Sequence, residues 1–286
     1  MSQILDRMKN GNTGGLSQGD EGKPELSMAD LVNGMANQEF FFHHQPIFDL
    51  ISGFQIGSEM LIRWVRRGKI LAPMWFMPMI EHHGLVTELD QYVIDRFLEI
   101  PWASTVKPDL KYRVFINVSA QSFIDPDFID CVSKVTQSMQ ENSIIPVLEL
   151  SERTCCDMSF ITKQMADLSE RGIEIALDDF GVGFSSLARL IELPINILKI
   201  DRTIISQIGQ SFRAETVMQS IFRMAKEMNV KVVAEGVETE SQSNWLVNFG
   251  QCWAQGFYYA RPTLAGFARN QDVEIVPKEP ETGEGK

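Results

Sequence analysis

Eight short apolar runs, separated by longer amphipathic stretches, are the feature of the sequence that most limits its fold. The runs cover residues 40–50, 54–64, 112–119, 146–152, 173–180, 195–201, 230–238 and 256–260. Residues 121–141, 157–171, 204–229 and 239–249 have the apolar spacing and the length of helices. Strands that alternate with helices predict a parallel α/β fold. The number of runs favours a TIM-like (β/α)8 barrel, which takes about 250 residues.

The connection between the first two runs predicts one exception to the parallel order. These runs are joined by a short loop around Ser52 and Gly53. A loop this tight cannot connect parallel strands, which need a crossover of a dozen residues or more. We therefore expect one antiparallel strand in an otherwise parallel barrel.

The barrel is predicted to occupy residues 27–270, between two polar ends. Residues 1–26 are predicted to be a flexible tail or linker, and residues 271–286 a flexible acidic tail. The first residues lack the apolar centre of a signal peptide. The longest apolar stretch, residues 70–80, contains Pro73 and Pro78 and is too short to cross a bilayer. We expect no direct insertion into a membrane.

Net charge and cysteine content narrow the functional classes. The 26 Lys and Arg residues stand against 38 Asp and Glu residues, a formal charge of −12. Such a chain gains nothing from counterion release on DNA or RNA, so we expect neither as a partner. The four cysteines make no zinc-ligand spacing, and Cys155 and Cys156 are adjacent, which suits no ordinary disulfide. Reduced thiols and a cytoplasmic location are expected.

Acids and amides recur where the predicted strands end. In a parallel barrel the carboxyl ends of the strands meet on one face, where barrel enzymes hold their active sites. Gln255 precedes the last run, and the other strand-end residues are Glu59, Asn117, Glu149, Glu152, Asp178, Asp179, Lys199, Asp201, Glu235 and Glu238.

Carboxylates packed this closely predict bound cations. Without cations they would repel and raise each other's pKa. Oxygen ligands without His or Cys indicate Mg²⁺ or Mn²⁺ rather than zinc. The pair Asp178 and Asp179 is suited to bridging two ions, and a two-metal site clamps the attacking and leaving oxygens in phosphoryl displacement. Lys199 is a candidate for holding the attacking water or offsetting charge on the phosphate.

Several of these residues have a simpler explanation. An acid at a strand end is often a helix N-cap, and Asp201, Glu152 and Glu238 are candidates for capping or supporting roles. Arg63 either meets a substrate phosphate or forms a surface ion pair. His43 and His44 point to opposite faces of a strand and cannot share a metal. Three methionines either fill the core or line a site for purine bases, namely Met74, Met77 and Met79.

Read in order, the motifs resemble the EAL domain family from near Met28 to Phe267. The resemblance is carried by QPIFDL, then Glu59-Met-Leu-Ile-Arg-Trp64, Asn117-Val-Ser-Ala120, Glu149-Leu-Ser-Glu152, Asp178-Asp-Phe-Gly-Val-Gly183, Leu198-Lys-Ile-Asp-Arg202, Ala234-Glu-Gly-Val-Glu-Thr239 and Gln255-Gly256. It implies hydrolysis of one phosphodiester bond of cyclic di-GMP to linear pGpG with two Mg²⁺ or Mn²⁺ ions, and inhibition by Ca²⁺.

The resemblance also implies roles for individual residues. Glu59, Asn117, Glu149 and Asp178 would bind the first metal, while Asp178, Asp179 and Glu235 would serve the second metal or act as base. Lys199 and Asp201 would position the water, with Gln255 in support. Glu152 would anchor the loop after Asp179, and this loop and the next helix would form a homodimer. The substrate would be met by Gln45, Leu61, Arg63 and Glu238.

Three departures from the family pattern keep other functions open. Met60 replaces the family's usual alanine, and Val182 and Phe184 stand where Thr and Tyr are frequent. Met60 is expected to point away from the face of Glu59. The alternatives are a catalytically inactive cyclic di-GMP receptor and a protein-interaction module. Chemistry alone also allows another metal-dependent barrel, such as a glycerophosphodiester hydrolase.

Overall fold

The computed structural model describes residues 26–98, 111–141, 143–151, 158–182, 186–249 and 252–263. In these ranges the strands form a single sheet. They are β1 (Phe40–Asp49), β2 (Gln55–Arg66), β3 (Lys69–Leu71), β4 (Tyr112–Val118), β5 (Ile144–Ser151), β6 (Glu174–Phe180), β7 (Ile197–Ile200), β8 (Lys231–Ala234) and β9 (Cys252–Ala254).

The sheet closes into an eight-stranded barrel. Its order is β1-β9-β8-β7-β6-β5-β4-β2-β3, and a further pairing of β1 with β2 completes the ring. The short strand β3 continues β2 as a hairpin outside the ring. Strand β1 is antiparallel to both β2 and β9, and the other ring pairs are parallel. The predicted barrel with one antiparallel strand is therefore confirmed.

Helices follow most of the strands and cover the barrel. They are α1 (Met28–Ala36), α2 (Pro73–His82), α3 (Val86–Leu98), α4 (Pro126–Glu141), α5 (Met158–Glu170), α6 (Ser186–Glu192), α7 (Arg202–Ile205), α8 (Phe212–Glu227) and α9 (Glu240–Val247). Capping boxes begin two of them, from Ser27 to Asp30 at α1 and from Thr239 to Gln242 at α9. None of the described helices combines the length and hydrophobicity that crossing a membrane requires.

Side chains divide into an inner and an outer core because neighbours on a strand point to opposite faces. The outer core lies between strands and helices and contains Met60, which is 3% exposed. Met60 thus points away from the face of Glu59, as expected. The inner core is a ring inside the barrel, formed by Ile47, Phe115, Val147, Ala176, Ile197, Val233 and Trp253.

An ion pair closes the barrel at the amino ends of the parallel strands. Arg113 Nε and Nη2 donate to the two carboxylate oxygens of Glu174 at 2.7 and 2.8 Å. The Arg113 guanidinium also lies 4.7 Å from the ring centroid of Trp253. The indole Nε1 of Trp253 donates to Asp49 Oδ2 at 3.2 Å. This floor leaves the opposite end of the barrel as the open mouth.

Two predicted elements were wrong in position. The last strand is Cys252–Ala254, and residues 256–260 form a turn rather than a strand. Aromatic content made this segment strand-like, but Tyr259 packs back onto β1, where its ring centroid lies 5.6 Å from that of Phe48. The predicted helix at 204–229 is two helices, α7 and α8, separated by a turn that contains Gly209 with φ of 78°.

Candidate active site

The site is the layer of side chains directly above the inner core. Each of six residues follows an inner-core residue by two positions, so its side chain points into the same barrel mouth. The six residues are Asn117, Glu149, Asp178, Lys199, Glu235 and Gln255. Gln255 follows β9 rather than preceding the last strand, which corrects the sequence-based prediction. Alternation along the strands therefore brings these predicted residues together.

Lys199 lies at the centre of this layer and is 1% exposed. Its ammonium nitrogen is 2.5 Å from Glu149 Oε1 and 2.6 Å from Glu235 Oε1. It is 3.2 Å from Asp178 Oδ1 and 3.4 Å from Glu59 Oε2. One buried cation thus faces four carboxylates, and we call these five residues the acidic cluster.

Amide side chains orient the carboxylate of Glu59. Asn117 Nδ2 donates to Glu59 Oε1 at 3.0 Å, and Gln255 Nε2 donates to Glu59 Oε2 at 2.7 Å. The same Gln255 nitrogen lies 3.3 Å from Glu235 Oε1. Residues from β2, β4 and the ends of β8 and β9 are therefore joined through hydrogen bonds at the mouth.

Two residues of the acidic cluster are stabilised in their charged forms. Burial acts to raise the pKa of Glu59, but Lys199 and the two amides outweigh it and lower that pKa. Burial acts to lower the pKa of Lys199, but the surrounding carboxylates raise it well above its usual value. Lys199 is therefore a permanent ammonium at the centre of the site.

The other carboxylates of the acidic cluster exceed what one ammonium can balance. Burial, followed by repulsion from Glu59, raises the pKa of Glu149 well above its usual value. Burial also raises the pKa of Asp178 despite the opposing effect of Lys199. Burial raises the pKa of Glu235 to about 8, where Lys199 again opposes the shift. Additional positive charge at this mouth would relieve this repulsion.

The donor set of the cluster fits a hard divalent cation. Both carboxylate oxygens of Glu149, Oδ1 of Asp178 and Oε1 of Gln255 are buried without a hydrogen bond of good geometry. All are oxygen atoms, the ligands that Mg²⁺ and Mn²⁺ prefer. In the described ranges no three His, Cys, Asp or Glu side chains surround one point as metal ligands. The carboxylates of the cluster face the Lys199 ammonium instead.

Asp179 and Asp201 lie beside the cluster in distinct local structures. Asp179 has φ of 58°, a left-handed conformation that is uncommon outside glycine, and Ser151 Oγ lies 3.4 Å from its Oδ2. Asp201 is the N-cap of α7, and its Oδ1 accepts a hydrogen bond from the Thr203 amide at 2.8 Å. The capping explanation considered for Asp201 is thus correct.

Glu238 and Glu152 are the remaining strand-end acids. Glu238 is exposed, and its backbone amide donates to Gln242 Oε1 at 2.8 Å, within the capping box of α9. In the described part of the chain Glu238 has no ion pair with Lys199. Glu152 and Phe184 lie outside the described residues, so the predicted loop anchor stays a prediction.

The antiparallel pair of strands β1 and β2 forms a second wall of the mouth. Gln45 on β1 lies opposite Glu59 on β2, and Leu61 and Arg63 follow on the same face of β2. Gln45 Nε2 is 3.4 Å from the backbone oxygen of Ala260. Burial lowers the pKa of Arg63, with Glu59 opposing the shift. Three of the four predicted substrate residues, Gln45, Leu61 and Arg63, thus line one edge of the site, and Glu238 is not on these strands.

A cavity of about 590 Å³ opens beside Glu59 and Asn117. It lies between β2, β4 and the helices α2 and α3. Of the three methionines considered, Met77 lines this cavity, Met79 is buried in the core, and Met74 is exposed, which neither explanation predicted. The other lining residues include Phe42, Leu61, Ile62, Pro73, Val86, Val93 and Ser119.

Asp90 on the wall of this cavity was missed by sequence reasoning. It is 6% exposed, and its Oδ2 accepts hydrogen bonds from the Ser119 amide at 2.7 Å and Ser122 Oγ at 2.6 Å. Burial raises the pKa of Asp90 to about 6. The available signal was an acid between Leu89 and Val93 on the apolar face of a helix.

Comparisons with known proteins agree with the fold. Residues 28–262 match the family model described as the EAL domain. The chain is 32% identical over 246 residues to the bifunctional diguanylate cyclase/cyclic di-GMP phosphodiesterase MucR of Pseudomonas aeruginosa, covering 82% of this chain and 35% of MucR. It is 30% identical over 241 residues to the probable cyclic di-GMP phosphodiesterase PdeG of Escherichia coli, covering 84% and 47%. The chain thus spans between a third and a half of these relatives' length.

Solved structures give the same assignment. The PaMucR phosphodiesterase in its c-di-GMP complex is similar with a TM-score of 0.72 and 31% identity, over 83% of this chain and 97% of that one. The EAL enzyme Bd1971 in its cAMP- and cyclic-di-GMP-bound form has a TM-score of 0.74 and 25% identity, over 86% and 67%. Since the matched residues make up most of the chain, this protein belongs to the EAL domain family.

Proposed function

We propose that this chain is a metal-dependent phosphodiesterase that hydrolyses one phosphodiester bond of cyclic di-GMP and releases linear pGpG. The observation that carries the proposal is the acidic cluster, in which four carboxylates surround Lys199 at the barrel mouth. A site with this excess of carboxylates favours cations and rejects a bare phosphate. The family relatives named as cyclic di-GMP phosphodiesterases supply the substrate class.

Two divalent ions, Mg²⁺ or Mn²⁺, would be held by oxygen ligands at this mouth. Bound ions would lower the pKa of a water molecule and neutralise charge on the phosphate. The candidate ligands for the first are Glu59, Asn117, Glu149 and Asp178, and those for the second are Asp178, Asp179 and Glu235. Ca²⁺ would inhibit because it prefers a larger and looser coordination shell.

The chain's own residues would orient the reacting groups. Lys199 is a permanent ammonium that can offset charge developing on the phosphate oxygens. Gln255 fixes Glu59 and Glu235 relative to each other through its amide. Glu235, whose pKa burial raises to about 8, is a candidate for exchanging a proton with water at neutral pH.

The substrate would lie across the mouth along the edge formed by β1 and β2. Arg63 would meet a phosphate through its guanidinium, and Gln45 and Leu61 would contact the adjacent nucleotide. The cavity beside Glu59 combines apolar walls with a few polar groups and has a volume of about 590 Å³, which is large enough for a purine base.

The test is turnover of cyclic di-GMP with Mg²⁺, with Mn²⁺ and with Ca²⁺, followed by chromatography of the product. We expect pGpG with Mg²⁺ or Mn²⁺ and none with Ca²⁺. Glu59→Gln should abolish turnover, whereas Glu227→Gln, on the exposed side of α8, should leave it unchanged. If the chain binds cyclic di-GMP but forms no product, it is a receptor rather than an enzyme. If it does not bind cyclic di-GMP, an interaction module is favoured.

We also propose that the chain forms a homodimer through the segment after Asp179. Helix α6 exposes two large apolar side chains, Leu187 at 59% and Ile191 at 80%. They are four residues apart and therefore lie on the same face of the helix. Apolar surface of this kind is stabilised when a second copy covers it.

A further inference from the structure

Helix α7 is a single turn that lies between two loops of the acidic cluster. It follows β7, which carries Lys199, and it is capped by Asp201. The first loop leaves β6 after Asp178 and Asp179, and the second leaves β8 at Glu235. Backbone hydrogen bonds join the two residues before α7 to the same segments: the Asp201 amide lies 3.4 Å from the oxygen of Phe180 at the end of β6, and the Glu235 amide donates to Ile200 O at 3.0 Å.

The loop after β6 touches α7 through Gly181. This glycine has φ of 99°, and a Cβ at this position would overlap Cδ1 of Ile204 and lie 3.2 Å from its Cγ1. Gly181 comes two residues after Asp179, so the segment that carries the Asp178–Asp179 pair approaches Ile204 more closely than a residue with a Cβ would allow. The Ile204 side chain is partly buried and packs against the outer core.

The loop after β8 touches the same helix through Gly236. This glycine has φ of 64°, and a Cβ at this position would overlap Cβ of Arg202 and lie 3.4 Å from its Cα. The atom in the way is the Cβ of Arg202, which is bonded directly to the backbone of a capped helix. It cannot rotate away as the end of a side chain could. Gly236 follows Glu235 directly, and its approach to Arg202 therefore limits the position of that carboxylate.

We propose that α7 is a shared spacer, in which Ile204 and Arg202 are positioning residues that set the separation between the Asp178–Asp179 pair and Glu235. The proposal rests on the proposed function, because both loops carry candidate metal ligands. The N-cap of Asp201 gives this helix its rigidity, which adds a structural contribution to a residue assigned to water positioning. Neither Ile204 nor Arg202 needs to touch the substrate.

A mutant cycle on Gly181 and Ile204 tests the first contact. Gly181→Ala should lower kcat about tenfold or more with KM changed less than about twofold, since a displacement of about 1 Å can cost 10²-fold. Ile204→Val removes Cδ1, the atom that the new Cβ would meet, and should restore most of kcat in the double variant. Gly181→Ala and the double variant both carry the strain of an alanine at a positive φ, so this strain cancels when their kcat values are compared. Equal kcat in both would overturn the proposal.

Gly236→Ala tests the second contact with a readout that does not need turnover. Its crystal structure should show Glu235 Oε1 displaced from Lys199 Nζ beyond the present 2.6 Å, with Glu149 unmoved. Its kcat should fall, while Thr203→Ala, an exposed residue of the same helix, should match wild type. An unmoved Glu235 would overturn the spacer. If the wild-type chain shows no turnover, only the proposed function is overturned. The displacement of Glu235 is measured in the crystal structure of Gly236→Ala and does not depend on turnover.

Discussion

Lys199 is the single residue around which the other side chains of the mouth are arranged. Its ammonium is within 3.4 Å of four carboxylates, and burial makes each of these interactions stronger than it would be in water. A buried charge that loses its only partner is costly, whereas neutralising one of several neighbouring carboxylates also relieves their mutual repulsion. Single substitutions in the cluster should therefore separate stability from activity.

Replacing Glu149 by Gln is expected to preserve the fold and abolish turnover. Burial and repulsion raise the pKa of Glu149, so its charged form is unfavourable in the folded protein and the neutral amide relieves that repulsion. We expect the free energy of unfolding at pH 8, measured by urea denaturation with EDTA, to be no lower than in wild type. Turnover with Mg²⁺ should fall by about 100-fold or more. Full activity in Glu149→Gln would contradict its place among the metal ligands.

Replacing Asp90 by Asn is expected to change how stability depends on pH. Burial raises the pKa of Asp90 from 3.8 to about 6, so between these values the folded state binds more protons than the unfolded state. Stability from this group is therefore present at low pH and is lost as pH rises through about 6. Because the amide of Asp90→Asn does not titrate, the variant does not lose this stability. Its free energy of unfolding relative to that of wild type should therefore increase by up to about 3 kcal/mol between pH 3.8 and about pH 6.

Urea denaturation at intervals from pH 4 to pH 8 measures the Asp90 effect. Asp130→Asn, an exposed substitution on α4, is the matched control and should parallel wild type. Parallel curves for Asp90→Asn and wild type would show that Asp90 titrates alike in the folded and unfolded chains.

Single elements of the barrel depend on close approach as well as on apolar pattern. Helix α1 lies on the outside of β2, where Gly34 faces the indole of Trp64. Trp64 is fully buried, stacks on Phe40 with centroids 5.0 Å apart, and meets the ring of Phe76 edge-on. Its Nε1 donates to Glu39 Oε2 at 2.9 Å, which fixes the ring in place.

Gly34→Ala is therefore expected to destabilise the protein although alanine favours helices. The added Cβ would lie 2.7 Å from Trp64 Nε1, and an indole held on several sides cannot yield. We expect a loss of about 1–3 kcal/mol in the free energy of unfolding, despite a helix-propensity gain of about 1 kcal/mol. Asn33→Ala, on the exposed face of α1, should be neutral or slightly stabilising. A more stable Gly34→Ala would show that α1 shifts without cost.

The whole molecule depends on closure of the ring by β1. This strand pairs with β2 and β9 and brings Gln45 to the same end of the barrel as the carboxyl ends of the parallel strands. Closure leaves no unpaired edge in the ring itself, so its strands offer no edge for pairing with a second copy. The exposed apolar pair on α6 is the candidate face.

Ile191→Asp is expected to abolish self-association of the chain. A charge placed in a desolvated dimer interface without a partner is unfavourable. Sedimentation velocity with and without cyclic di-GMP should show dimers for wild type and monomers for the variant. Phe54→Asp, on the β1–β2 turn at the floor of the barrel, removes a similarly exposed ring and should remain dimeric. Unchanged sedimentation of Ile191→Asp would exclude α6 as the interface.

Much of the fold and of the acidic cluster was predictable because it follows from chain periodicity. Strand residues alternate between two faces, so Asn117, Glu149 and Lys199 had to share a face once their strands were found. Elements were predicted at the wrong positions where the segment is too short to show a periodic pattern. Three residues, Cys252 to Ala254, suffice for β9, and the aromatic turn after it carried a stronger strand pattern.

The sequence by itself determined the barrel, the single antiparallel strand and the acids at the strand ends, since each depends on local pattern and loop length. Only the tertiary structure decided that Lys199 lies at the centre of four carboxylates, that Asp90 is buried against Ser119 and Ser122, and that Gly181 and Gly236 meet the same turn of helix. These contacts join residues far apart in the chain, and their distances depend on how the closed barrel packs.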